Sequence, residues 1–104
     1  MQELPIACDM TALSAAQRER QQLLMKSFHA AIEETLALDN GYAFRLAADT
    51  ETILLLAEFI TIERLCCPFF TFEMEVGPPP APVWLRIVGR EGIKEFIKME
   101  LGVG

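Results

Sequence analysis

At 104 residues the chain has room for one domain with a modest core. Its 52% apolar and 23% charged residues are the composition of a globular protein, not of a disordered one. A net charge of −6, with the nine basic residues interleaved among acids, argues against nucleic acid or an anionic membrane surface as a partner, since both would repel it.

In chain order, Met1-Gln2-Glu3-Leu4-Pro5 is acidic and has no apolar core segment, so no signal peptide is expected. Pro5 to Met10 reads as a short first strand. Ser14 with Gln17 three residues on forms a capping box. It opens a helix expected from about Ala15 to Leu38, with Leu24, Phe28, Ala31, Ile32 and Thr35 at helical spacing as its buried face. Asp39-Asn40-Gly41 supplies a stop, with Asn40 or Gly41 able to take the left-handed conformation. Gly41 to Ala47 alternates as a strand, with Tyr42, Phe44 and Leu46 on one side and Ala43, Arg45 and Ala47 on the other.

Asp49 or Thr50 caps a second helix, Glu51 to about Cys66, apolar on most sides and so a central core helix or part of a subunit contact. Its apolar run, Ile53 to Leu56 continuing to Ile62, is broken by Glu58 and falls far short of the ~20 residues that span a bilayer. Pro68 disfavours helical geometry at Cys67 and should end the helix there. Phe69 to Val76 alternates, with Phe70, Phe72, Met74 and Val76 inward and Thr71, Glu73 and Glu75 outward. Beyond the Gly77-to-Pro82 loop, Val83 to Val88 returns with Val83, Leu85 and Ile87 inward, an antiparallel hairpin. Gly89 to Gly92 opens a last helix carrying Ile93, Phe96, Ile97 and Leu101 as one stripe, which Gly102 ends. The sum is an α+β two-layer sandwich: a mainly antiparallel sheet of about four strands with three helices on one face, related to ferredoxin-like folds.

The chemistry-bearing stretch is Glu63-Arg64-Leu65-Cys66-Cys67-Pro68, where two of only three cysteines meet at a helix-to-strand junction. Adjacent Cα atoms about 3.8 Å apart lie below the usual disulfide range, so a resting bridge between Cys66 and Cys67 would be strained. Paired thiolates can grip a soft metal such as zinc, or a metalloid. Cys8 could supply a third sulfur and Glu63 an oxygen. The C-C spacing is not the C-x-x-C of common zinc sites, and the alternative is that both thiols are small buried apolar groups. The odd cysteine count fits a reducing cytoplasm. Glu63 and Arg64 together suggest a charged pair positioning the junction.

His29, the only histidine, joins Gln22, Lys26 and Glu33 in a polar stripe facing water. Without it no Ser/His/Asp or Cys/His arrangement can be built, so no catalytic residue is named and the reading leans away from an enzyme. The outer sheet face should present Trp84, Arg86, Val88, Phe69, Thr71, Glu73, Ala43 and Arg45. That face suits a partner or a homodimer contact, or is simply solvated by cross-strand pairs such as Arg45 or Arg86 with Glu73.

The string Glu63-Arg64-Leu65-Cys66-Cys67-Pro68-Phe69-Phe70-x-Phe72, with Asp39-x-Gly41-Tyr42-Ala43-Phe44-Arg45 upstream and Gly89-x-Glu91-Gly92-x-Lys94-Glu95-Phe96 downstream, resembles a family of small uncharacterised bacterial proteins with an E-R-x-C-C-P-F-x-x-F core. The resemblance covers about Cys8 to Leu101 and implies a stand-alone cytosolic bacterial domain, with no activity to carry over. Three readings follow: a soft-metal or metalloid binder using Cys66, Cys67, Cys8 and Glu63; a homodimeric regulatory module with inert thiols; and a thiol-redox protein.

Overall fold

Three sequence signals place most of the architecture: a capping box, an aspartate cap, and alternating apolar residues over 83–88. The computed structural model describes residues 6–102. Ser14 and Gln17 form the reciprocal capping box that opens α1, Ala15–Ala31. The Asp49 side chain accepts from the Thr52 amide and opens α2, Thr50–Cys66. Left-handed Gly92 and Gly102 bracket α3, Ile93–Leu101. Four strands complete the fold: β1, Glu34–Leu38; β2, Gly41–Leu46; β3, Thr71–Val76; and β4, Val83–Val88. They form one sheet in the order β1-β2-β4-β3, every neighbouring pair antiparallel. The domain is α+β, as its sequence predicts.

β2 and β3 both run antiparallel to β4 and therefore parallel to each other, so β2-α2-β3 is a crossover split by β4. Likeness to a ferredoxin-like plan goes no further among the described residues: a hairpin precedes this unit, and α3 follows β4 without another strand.

The register sorts the sheet faces. Phe44, Leu46, Val83, Leu85 and Ile87 point to the helices and are 0–1% exposed. Phe28 of α1 stacks on Phe59 of α2 with ring centroids 4.5 Å apart and meets Phe44 of β2 edge-on at 5.4 Å, tying both helices to the sheet. Ile93, Phe96, Ile97 and Leu101, the predicted stripe, are all buried.

Several expectations give way. The first helix ends at Ala31, and residues 34–38 leave it to form β1; Thr35 pairs with Phe44 across a hairpin instead of facing a helical core. Asp39-Asn40 is the loop of that hairpin, and neither Asn40 nor Gly41 is left-handed. Gly41 answers to crowding: a Cβ there would run into the Ile87 carbonyl oxygen. Over Ile6 to Met10 there is no strand; an irregular segment leads into a short 3-10 turn at Met10–Ala12 (Pro5 lies outside the described residues). Met74 and Val76 do pair with inward-facing Leu85 and Val83, yet they are 37% and 49% exposed, because β3 is the sheet edge farthest from β1 and its outer end is uncovered.

Candidate metal centre

α2 ends where Pro68 forbids another turn, and its last turn folds inward: Glu63 and Cys66 are buried, and Cys67 is the cap. The Cys67 amide donates to the Glu63 carbonyl at 2.7 Å, which holds the two cysteines in one tight corner. Their sulfurs are 3.7 Å apart. Cys8 arrives from the N-terminal segment, pinned by the Asp9 amide donating to the Cys66 carbonyl at 2.8 Å. The three sulfurs lie within 4.8 Å of one another. The expected juxtaposition is therefore present, made by one backbone hydrogen bond and not by a strand.

Glu63 joins them. It is only 3% exposed, and its Oε2 lies 3.6 Å from Cys67 Sγ and 3.9 Å from Cys66 Sγ. Its Oε1 accepts from the Gln21 side-chain amide on α1 at 2.8 Å. The expected pairing with Arg64 does not form, since successive helical residues diverge and Arg64 is exposed. Gln21 is the residue the sequence reading lacks. Its signal is a polar side chain beside Leu24 and Phe28 on the buried side of α1, where a polar group needs a partner.

Burial pushes the Glu63 carboxyl up, against the Gln21 hydrogen bond and the two thiols, and among the described residues Glu63 makes no ion pair. Burial, then the Glu63 charge, pushes the Cys66 thiol up to about 12. Cys67 is pushed up as well, by its contact with the Cys8 sulfur and by burial. The same contact draws the half-buried Cys8 thiol down, opposed by burial and by Glu100 and Glu63. Burial and the neighbouring carboxylate thus keep the vicinal pair protonated, and Cys8 ionises first.

A cavity of about 360 Å³ opens beside the cluster, between the three helices and the sheet. Cys8, Cys67 and Glu63 are part of its lining together with Gln21 and Glu100, and methionine and phenylalanine side chains make most of the remainder.

The other predicted site residues are elsewhere. His29 is exposed on α1. Phe69 is drawn off the outer sheet face onto the core, where it packs edge-on against Phe96 at 5.2 Å. On that face Arg86 pairs with Glu73 and Glu75, while Arg45 pairs with Glu33 and Glu34 and not with Glu73. No helix of the described residues is long and apolar enough to cross a membrane. Comparison of the chain with protein-family models, curated proteins and solved structures gave no match.

Proposed function

We propose that the chain binds a soft metal ion or metalloid through Cys8, Cys66 and Cys67, with Glu63 supplying an oxygen. What supports this most is three sulfurs gathered within 4.8 Å of one another, two of them beside a buried carboxylate that makes no ion pair among the described residues. Such a constellation is costly when empty, and a bound cation removes the cost.

The distances suit a compact tetrahedral ion. Zinc–sulfur bonds of about 2.3 Å at tetrahedral angles set sulfurs about 3.8 Å apart, and an oxygen ligand about 3.5 Å from each sulfur. Cys66 and Cys67 are at 3.7 Å, and Glu63 Oε2 is 3.6 and 3.9 Å from the two sulfurs. Cys8 is the remaining corner, and its sulfur, within 4.8 Å of the other two, needs to close on them by about 1 Å at most. Sulfur donors select soft ions over magnesium or calcium. Gln21 then acts as the outer partner that orients the ligating carboxylate.

Ligation displaces thiol protons, so affinity falls as pH falls. Titration of the reduced chain with zinc or cadmium against a competing chelator tests the reading. One equivalent should bind with release of protons, and Cys66→Ser with Cys67→Ser should abolish it. Absence of binding by zinc, cadmium and arsenite alike, or binding unchanged in the double variant, overturns it. The rival reading, an association module using the apolar second helix or the Trp84 face, draws less support from that face, because its arginines are already paired within the chain.

A further inference from the structure

The cavity has an unusual pairing of surfaces. Its lining joins the donors Cys8, Cys67 and Glu63, with Gln21 and Glu100 beside them, to apolar walls that include Met10, Met25, Phe59, Phe72 and Phe96. An ion held by the cluster uses only those donors and leaves the methionine and phenylalanine walls unused. About 360 Å³ is far more than an ion requires; an apolar cavity of about 150 Å³ already admits benzene.

We propose that this site takes a monoorganyl derivative of a soft metalloid, an aryl arsenic(III) compound being the best-fitting class, with the metalloid on Cys8 and Cys67 and the organic group among the methionines and phenylalanines. The proposal rests on the soft-ligand reading above. Cys8 and Cys67 are the two thiols that line the cavity; Cys66 does not line it and is not needed for two-point attachment. The chemistry balances without an oxidant. An aryl arsonous acid, Ar–As(OH)₂, loses both hydroxyls as water, each taking one thiol proton, while two arsenic–sulfur bonds replace two arsenic–oxygen bonds and arsenic stays trivalent. The product is neutral, as a low-dielectric pocket favours. Flat π faces and polarisable sulfur then pack the ring.

The test uses the full reduced chain with phenylarsine oxide and arsenite as probes, each competed against a small free dithiol that has thiols but no cavity. Relative to that dithiol, the chain should favour the phenyl compound over arsenite by about tenfold or more. Met25→Trp, which fills the cavity, should erase that preference and leave arsenite binding in place. Ring protons of the bound phenyl compound should show nuclear Overhauser contacts to the Met10 and Met25 methyls, a readout that does not depend on any variant folding. Arsenite binding without a phenyl preference, or a ring lacking those contacts, overturns this inference alone. Failure of zinc, cadmium, arsenite and the phenyl compound alike overturns the parent reading with it.

Discussion

The side-chain amide of Gln21 on α1 donates to the carboxyl of Glu63 on α2 at 2.8 Å, an inner polar link between two helices that the Arg20–Glu58 ion pair also joins at the surface. It holds Glu63 with its second oxygen toward Cys66 and Cys67. Gln21→Ala leaves that buried carboxyl short of a donor. The chain should lose about 1–2 kcal/mol of stability by urea denaturation at neutral pH. Metal affinity should drop about tenfold, as for other outer-shell partners.

Above the range in which Asp49 and Glu58 titrate, both held below their ordinary values, stability of the metal-free chain should fall as pH rises. Burial places the folded Glu63 carboxyl above its unfolded value, so the folded state holds the extra proton, and stability declines as pH rises from about 4.3 through the folded value. Cys66 and Cys67 act in the same sense at higher pH. Stability contributed by their protonated forms is intact below about 8.5 and is lost toward the folded value, about 12 for Cys66. Glu63→Gln should flatten the acidic limb of a stability-versus-pH curve and be at least as stable as the parent at neutral pH, while weakening metal binding. A curve that rises across the acidic window would contradict this.

The second half of the fold is written more openly than the first. Val83, Leu85 and Ile87 alternate, and all are buried; Ile93, Phe96, Ile97 and Leu101 keep helical spacing, and all are buried. Residues 32–38 satisfy helical spacing as well as strand alternation, and the choice is made by pairing with β2, which no local pattern contains. Asp39-Asn40-Gly41 fits a helix stop and a hairpin loop equally, and the loop prevails. The cysteine junction is announced by Cys66-Cys67-Pro68. Its completion by Cys8 depends on one long-range backbone hydrogen bond, and the Gln21–Glu63 link on the packing of α1 against α2.

Gly41→Ala tests the close approach of β2 to β4. The new methyl meets the Ile87 carbonyl oxygen and cannot turn away, since the obstacle is backbone. A loss of about 3 kcal/mol is expected, with a lowered thermal midpoint. A midpoint unchanged within a degree or so would show that the strands part without strain.

Alkylation should distinguish the thiols. Cys8, half-exposed and drawn down by the Cys67 contact, should react first with iodoacetamide in the metal-free chain. Cys66 and Cys67, buried and pushed up, should react slowly until the chain unfolds. One equivalent of zinc should protect Cys8. Peptide mapping by mass spectrometry reads the order, and early modification of Cys66 would contradict it.

X-ray absorption at the zinc edge of the loaded chain addresses the ligand set itself. The expected spectrum shows sulfur neighbours at about 2.3 Å together with a light-atom shell near 2.0–2.2 Å, and Cys66→Ser with Cys67→Ser removes the sulfur shell. Zinc surrounded by oxygen or nitrogen alone, or a sulfur shell that survives the double variant, would contradict binding at this cluster.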